Sequence, residues 1–322
     1  MLSIKRIFLP LFVLLHSVVA YGQGEVANGS KKITFSPQWT AQAQFAGYYA
    51  AKDMGFYDEV GLDVEIIHPS KSVSALQMLK SEKSDFVSLD LITAVSENMG
   101  GGTLCNIMQS SQSSGFAILS HEPIAKIEDL EGKRIGRWLA GFSLSAQSAL
   151  ENLGVDVEWI DILGGVNVFL SMAVDANLMM TYNELLTVEE TGYEINPNQV
   201  IYFRDIEEYN IPEDGVYTSA SFAENNPEVV AKFREATAKG WLWVRENSDE
   251  ALNIVMRWAY RDNIPTNIVH QRMMLSEIIA LQQNELGEFS TTLDKSDFER
   301  VKSLLKASGL GGGDVEYGSF IK

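Results

Sequence analysis

Aromatic and polar residues recur where predicted strands of this 322-residue chain run into loops. The four stretches are Gln38 to Thr40, Ser88 to Asp90, Trp138 to Ser143 and Met180 to Glu184. Open α/β sheets bind their ligands at the carboxyl ends of strands, so these stretches are the candidate contacts. Aromatic rings stack on flat ligands, and carboxylates, amides and hydroxyls form hydrogen bonds with ligand edges. The pattern therefore predicts a site for a small ligand.

Residues 33–67 are the unit in which this placement is clearest. A short apolar run predicts a strand, and the spacing of Phe45 and Tyr48 predicts a helix after it. Gly55 ends that helix, because glycine takes the left-handed cap conformation without steric cost. Between strand and helix, Trp39 stands on a loop, where it either contacts a ligand or packs beneath the loop.

The rest of the chain alternates predicted strands and helices. Strands are predicted at 85–89, 105–109, 116–120, 159–163, 176–180 and 200–203, and helices at 72–80, 92–98 and 145–153. Such alternation implies a largely parallel sheet with helices on both faces. About 300 residues commonly divide into two domains. The sequence therefore predicts an α/β fold with two lobes.

Three motifs follow one another in the opening unit: AGYYAAK at 46–52, GFY at 55–57 and GLDV at 61–64. Together they resemble the signature of periplasmic solute-binding proteins that deliver pyrimidine precursors of thiamine to ABC transporters. That group is similar to the fungal thiamine-pyrimidine synthases. Nitrate-, sulfonate- and taurine-binding proteins resemble the unit more loosely, so it indicates the superfamily better than the ligand.

The resemblance implies a two-lobed periplasmic-binding-protein fold of type II. In that fold each lobe is a mainly parallel sheet flanked by helices, and two chain crossovers between the lobes form a hinge. We expect lobe 1 at residues 31–114 and 216–308, lobe 2 at 115–215, and a flexible tail at 309–322.

In the resembling family, the strand-end stretches line the cleft between the lobes. Tyr182 followed by Glu184 is similar to a stretch that holds the pyrimidine there. An aminopyrimidine presents ring faces for stacking and polar edges for hydrogen bonds, so aromatic side chains around a carboxylate suit it. The expected ligand contacts are Gln38, Trp39, Tyr48, Asp90, Trp138, Phe142, Ser143, Tyr182, Asn183 and Glu184.

Some features leave the ligand open. Residues 138–143 lack the acid that the pyrimidine-binding group often carries there. Ser143 is placed to cap the next helix, and amides exposed at such a position can bind the anion of a sulfonate. Glu184 is either a ligand contact or a solvated residue whose charge favours a helix start. We expect an aminopyrimidine, with a sulfonate or another small solute as the alternative.

Residues 1–22 predict an export signal, with Lys5 and Arg6 before a short apolar run and small residues near Ala20. The run is shorter than the roughly 20 apolar residues of a membrane span, although an uncleaved anchor stays open. With Cys105 as the sole cysteine, no intramolecular disulfide, cysteine-based zinc site or lipid-modified cysteine near the signal is available. We therefore expect a protein of a Gram-negative periplasm.

The formal net charge of −18 argues against a nucleic-acid partner, whose phosphates require clustered lysine and arginine. No HExxH, GxSxG or dinucleotide motif is present, and the histidine and cysteine-rich motifs of the fungal synthases have no counterpart. We expect a binding protein without a cofactor or metal, not an enzyme. The resemblance implies a monomer that delivers its ligand to an ABC permease. A ligand-sensing periplasmic domain and a pyrimidine-processing enzyme are the rival hypotheses.

Overall fold

The computed structural model describes residues 30–70, 72–138 and 143–322. The strands of this part of the chain are β1 (Lys31–Ser36), β2 (Leu62–Ile66), β3 (Phe86–Asp90), β4 (Leu104–Gln109), β5 (Phe116–Ser120), β6 (Arg134–Trp138), β7 (Glu158–Ile162), β8 (Ala176–Met180), β9 (Val200–Tyr202) and β10 (Asp214–Ser219). The helices are α1 (Ala46–Asp53), α2 (Phe56–Glu59), α3 (Ala75–Lys80), α4 (Leu91–Met99), α5 (Leu144–Asn152), α6 (Asn167–Leu170), α7 (Glu184–Glu190), α8 (Ala220–Asn225), α9 (Pro227–Glu246), α10 (Ser248–Arg261), α11 (Ile268–Leu281), α12 (Lys295–Ala307) and α13 (Tyr317–Phe320). Short 3-10 turns lie at Ala43–Phe45, Ile127–Leu130, Pro197–Gln199, Phe203–Asp205 and Glu207–Tyr209. The predicted export signal lies outside the described residues.

The first sheet has the strand order β2-β1-β3-β10-β4. β1 pairs in parallel with β2 and β3, and β10 is antiparallel to both of its neighbours. Its apolar residues pack against the long helix α9, where the ring of Phe233 lies 4.3 Å from Phe86 and 5.6 Å from Phe35. All three rings are fully buried, so this aromatic contact holds the sheet and the helix together.

The second sheet has the order β7-β6-β8-β5-β9. β6 pairs in parallel with β7 and β8, and β5 is antiparallel to β8 and β9. A separate apolar cluster, which includes Phe169, Met179 and Val188, packs against this sheet. The larger apolar cluster is continuous between the sheets, since it contains Phe35 of the first sheet and Ile118 and Leu178 of the second.

The antiparallel strand of each sheet is the one that the chain enters when it crosses from the other sheet. β5 follows the outgoing crossover at residues 110–115, and β10 follows the return at residues 203–213. The other four strands of each sheet run in one direction. The predicted pair of mainly parallel sheets joined by two crossovers is confirmed.

Helix α1 of the opening unit packs very closely against α9. A Cβ atom added at Gly240 would lie 2.2 Å from the backbone oxygen of Gly47, so this approach requires glycine. The next residue, Trp241, is 1% exposed, and its ring meets Tyr48 edge-on at 5.9 Å. Trp241 is therefore a core residue.

Two predicted boundaries differ from the structure. β10 begins at Asp214, two residues before the predicted division between the lobes, so this residue belongs to the first sheet. The helix predicted from Ser72 begins at Ala75, because the hydroxyl of Ser74 caps it by accepting a hydrogen bond from Gln77 N. The division into lobes that move about a hinge stays a prediction.

The end of the chain packs against the first sheet. The ring of Phe320 is fully buried and lies 5.1 Å from Phe298. The backbone N–H of Lys322 donates to the carbonyl oxygen of Asn106 in β4 at 3.0 Å. The prediction of a flexible tail at 309–322 is wrong for this end, because its apolar residues are buried in the core.

We predict that Phe320→Ala lowers the free energy of unfolding by about 3–5 kcal/mol, since it leaves a cavity at a buried aromatic site. The control is Tyr260→Ala, because Tyr260 is 86% exposed, and its effect should stay within about 0.5 kcal/mol. Urea denaturation followed by circular dichroism measures both. Equal, small effects of the two substitutions would show that the chain end does not contribute to the core.

Candidate functional site

A cleft opens between the strand-end loops of the two sheets. It is lined by residues that follow β1 and by residues at the ends of β6 and β8, and it encloses about 440 Å³ together with its open mouth. The lining residues are Gln38, Trp39, Gln42, Gln44, Trp138, Met180, Tyr182, Asn183 and Glu184. Both sheets therefore contribute to one site at the carboxyl ends of parallel strands, where α/β folds bind ligands.

Three aromatic side chains form the walls of the cleft. Trp39 is 49% exposed, and its carbonyl oxygen is held by a hydrogen bond with Nδ1 of His68. Trp138 packs edge-on against Phe116, with ring centroids 5.8 Å apart. Tyr182 is only 5% exposed and lies deeper in the cleft. These rings offer flat faces at different depths to a planar ligand.

The Asp214 carboxylate organises the polar floor of the cleft. It accepts hydrogen bonds from Gln38 Nε2 at 2.6 Å and from Gln44 Nε2 at 2.8 Å. Gln44 Nε2 also donates to the Tyr182 hydroxyl at 3.2 Å, and its Oε1 accepts from Gln42 Nε2 at 2.6 Å. These bonds fix the amide of Gln38, and its buried Oε1 is an acceptor without a protein partner among the described residues.

Glu184 is both the first residue of α7 and part of the cleft lining. Its Oε2 accepts from the backbone N–H of Met180 at 3.2 Å, and its Oε1 accepts from Asn183 Nδ2 at 3.1 Å. Burial raises the pKa of Glu184 above its usual range. Glu184 therefore both begins a helix and lines the cleft, so its two hypothesised positions are compatible. Each of its oxygens accepts one protein hydrogen bond, which leaves lone pairs for a ligand.

Glu213, the last residue of the returning crossover, and Asp214, the first residue of β10, lie behind the cleft. Burial raises the pKa of Glu213 to about 8 and that of Asp214 to about 6, and each acid also feels the negative charge of Asp90. The Glu213 carboxyl group accepts from Ser114 Oγ at 2.7 Å and from the backbone N–H of Gly115 at 2.8 Å. This interior is therefore acidic and partly protonated near neutral pH.

The same acids join the two crossovers. The carbonyl oxygen of Asp214 accepts from the backbone N–H groups of Ser110 and Ser111 at 2.7 and 3.0 Å. The backbone N–H of Asp214 in turn donates to Ser111 Oγ at 2.8 Å. The outgoing and returning chains are thus bonded to each other directly behind the site.

The structure brings six of the predicted site residues together in this cleft. They are Gln38, Trp39, Trp138, Tyr182, Asn183 and Glu184. Their placement agrees with the strand-end rule from which the sequence analysis began. Their role as ligand contacts stays a prediction.

Three other predicted residues lie outside the cleft lining. Tyr48 is a core residue, with its hydroxyl 2.9 Å from Ser110 Oγ. Asp90 caps α4 by accepting from the backbone N–H of Thr93 at 2.8 Å. Ser143 is fully buried and precedes α5, and its hydroxyl donates to the carbonyl oxygen of Trp138 at 3.1 Å. These three side chains make contacts within the protein, and their role as ligand contacts stays a prediction. Phe142 lies outside the described residues.

The sequence analysis missed four residues at or behind the site: Gln42, Gln44, Glu213 and Asp214. The two glutamines stand in the loop already singled out between the first strand and helix. The two acids lie just before residue 216, where the chain is predicted to return to lobe 1, and adjacent acids beside a short apolar run are a signal that could have identified them.

A family profile described as NMT1/THI5 like matches residues 42–251, well over half of the chain. The chain belongs to the NMT1/THI5-like family. This NMT1/THI5-like protein is 24% identical to a formylaminopyrimidine-binding protein from Halalkalibacterium halodurans, over 95% of this chain and 94% of that protein. It is 23% identical to the riboflavin-binding protein RibY from Chloroflexus aurantiacus, over 87% of this chain and 82% of that protein.

Solved structures show the same fold. The periplasmic sulfonate-binding protein SsuA from Methylobacillus flagellatus matches this NMT1/THI5-like chain with a TM-score of 0.68 at 16% identity, over 91% of this chain and 92% of that chain. The predicted periplasmic-binding-protein fold and family resemblance are therefore confirmed. Among the described residues, none of the helices combines the length and apolar character needed to cross a membrane.

The raised pKa of Glu213 predicts a pH dependence of stability. The ordinary pKa of a glutamate is about 4.5, and that of Glu213 in the folded protein is about 8. Between these pH values Glu213 keeps a proton in the folded protein that it loses in the unfolded chain. The stability contribution of this proton is therefore present at low pH and is lost as the pH rises through this window, with a slope of at most about 1.4 kcal/mol per pH unit.

Glu213→Gln removes this titration, since its amide can still pair with the Ser114 hydroxyl. Urea denaturation from pH 4.5 to 8 should show the wild-type advantage over the variant decreasing as pH rises. Glu208→Gln, at an exposed position, is the control. Parallel pH profiles for the wild type and Glu213→Gln would contradict the assignment.

Proposed function

We propose that this solute-binding protein of the ABC import type captures a small heteroaromatic ligand, an aminopyrimidine related to thiamine, in the cleft between its two sheets. One observation carries the proposal. The cleft combines three aromatic walls with hydrogen-bond acceptors, and none of its described lining residues is a lysine or an arginine.

The aromatic walls suit a planar heterocycle. Trp39 and Trp138 come from opposite sides of the cleft, and Tyr182 closes its inner end. Contacts between aromatic rings add about 0.5–1.5 kcal/mol each beyond the burial of apolar area. A flat ring in contact with both sides would be stabilised by the two sheets at once.

The acceptors suit a ligand that donates hydrogen bonds. Gln38 offers an unpartnered Oε1, and Glu184 offers a carboxylate whose protein donors leave lone pairs free. An exocyclic amino group would pair with such acceptors. A ligand without that donor would leave a buried acceptor unpaired, at a cost of roughly 1–3 kcal/mol. Selectivity for an aminopyrimidine would arise from this difference.

The charge of the cleft disfavours the sulfonate alternative. A sulfonate is a permanent anion, whereas the cleft contains Glu184 and lies in front of Asp214, whose pKa of about 6 leaves it mostly ionised at neutral pH. Anions are repelled by nearby carboxylates and require cationic or N–H donors in compensation. Ser143, the predicted anion-binding helix start, lines a separate groove beyond Trp138. A neutral or cationic heterocycle is therefore the better match.

Capture needs no covalent step. A ligand that contacts both sides of the cleft stabilises the arrangement in which the sides are close, and this shifts the population toward that arrangement. We propose that the protein is exported to the periplasm and presents the enclosed ligand to an ABC permease as a monomer. A sensing domain would bind the ligand in the same way without transport, and an enzyme would release a changed product.

Mass spectrometry of ligand released from purified protein, combined with calorimetric titration, tests the proposal. The panel is formylaminopyrimidine, thiamine, riboflavin, taurine and a simple alkanesulfonate. We expect formylaminopyrimidine to bind with micromolar or better affinity, which corresponds to about −8 kcal/mol, and to be recovered unchanged. Preferential binding of a sulfonate, or recovery of a converted pyrimidine, would contradict the proposal.

We predict that Glu184→Gln weakens formylaminopyrimidine binding by about 10- to 100-fold, because a charge-assisted hydrogen bond is lost. Glu189→Gln is the matched control, since Glu189 is on the same helix but exposed to solvent. Calorimetry measures the affinities, and thermal melts check that both variants fold. Equal affinities for the two variants would remove Glu184 from the site.

A further inference from the structure

His270 is a buried histidine outside the cleft lining, on the helix α11. Its side chain belongs to a residue only 8% exposed, and its backbone N–H donates to Asn267 Oδ1 at 2.8 Å in the cap of that helix. α11 packs against the turn Ala43–Phe45 of the opening unit and against α10. His270 is therefore anchored on the side of the cleft that belongs to the first sheet.

The imidazole reaches across to α7, which follows β8 of the second sheet. Nε2 lies 3.1 Å from Asn183 Oδ1, and Nδ1 lies 3.3 Å from Glu190 Oε1. Nδ1 has no aligned hydrogen-bond partner among the described residues, so its approach to Glu190 is not a hydrogen bond. The Nε2 bond is the directional link between the two sides.

The direction of the hydrogen bond between His270 and Asn183 follows from the hydrogen bond between Asn183 and Glu184. Asn183 Nδ2 donates to Glu184 Oε1 at 3.1 Å, so the amide must turn its Oδ1 toward His270. Oδ1 can only accept, and His270 Nε2 therefore carries the proton and donates. The chain of bonds runs from a histidine on one side of the cleft, through an amide, to the carboxylate on the other side.

The same helix makes a second contact with the second half of the protein. Glu277, seven residues or about two helical turns after His270, accepts from Arg204 Nη1 at 2.6 Å. Arg204 follows β9 of the second sheet. α11 thus bonds to the second half of the protein through both His270 and Glu277, and the His270 bond leads to the cleft.

We propose that His270 is a positioning residue that orients Glu184 through Asn183. The inference rests on the proposed function of the cleft. His270 and Asn183 belong to opposite sides, so the bond exists only while α11 and α7 are close. Closure of the cleft and correct orientation of the ligand-binding carboxylate are then the same event, which ties ligand affinity to the approach of the two sides.

A first experiment needs no ligand. We would follow the side-chain amide signals of Asn183 by NMR in the wild type, His270→Leu, His270→Gln and Glu277→Gln. Glutamine places an N–H donor near the Nε2 position, whereas leucine removes it. We expect altered signals and faster amide hydrogen exchange in His270→Leu only. Signals unchanged in His270→Leu, or changed equally in Glu277→Gln, would overturn the proposal.

A second experiment is a double-mutant cycle on formylaminopyrimidine affinity. His270→Leu should weaken binding by about 10-fold, mainly through faster dissociation, and His270→Gln should stay within about 3-fold of the wild type. In the Glu184→Gln background, His270→Leu should change affinity by less than about 2-fold, because its effect acts through that carboxylate.

The outcomes separate the two claims. Additive losses in the cycle would show that His270 supports the fold without orienting Glu184, and would overturn this inference while the proposed function stands. If the wild type binds no pyrimidine, the proposed function fails, and the Asn183 signals alone decide whether the His270 contact orients the amide.

Discussion

Two adjacent carboxyl groups, at the point where the returning crossover enters β10, hold the crossovers and the cleft residues in place. Glu213 binds the outgoing chain at Ser114 and Gly115, and Asp214 binds the glutamine amides of the cleft. Buried acids are costly unless they are paired with donors or protonated, and both conditions hold here. The hydrogen bonds of this pair therefore connect the crossover between the sheets with the proposed ligand site.

This arrangement explains why the site lies where it does. The crossovers are bonded behind the cleft, so the loops after β1, β6 and β8 face each other in front of it. Asp214, with a pKa of about 6, is mostly ionised at neutral pH and holds the amides of Gln38 and Gln44 by hydrogen bonds. The aromatic residues supply flat walls. Each component alone is common in proteins. Their combination with an absence of lysine and arginine from the described lining favours a donor-bearing heterocycle over an anion.

Much of the fold could be predicted because it is local in sequence. β5 and β8 coincide with their predicted bounds, since each is a short apolar run between turn or polar residues. The rule that ligands bind at the carboxyl ends of strands likewise led to Gln38, Trp39 and Tyr182, which line the cleft. The core position of Tyr48 could not be predicted, because helical spacing shows that residues share a face but not what the face contacts. Glu213 and Asp214 were missed because their partners are far away in the chain and meet them only after folding.

The central claim is that a heterocycle bearing an amino group binds against Glu184 and the open acceptor of Gln38. A crystal structure of the protein with formylaminopyrimidine tests it most directly. The account predicts the ring in contact with Trp39 or Trp138 and its amino nitrogen within about 2.7–3.2 Å of one of these acceptors. A ligand bound elsewhere, or an anion bound in this cleft in its place, would contradict it.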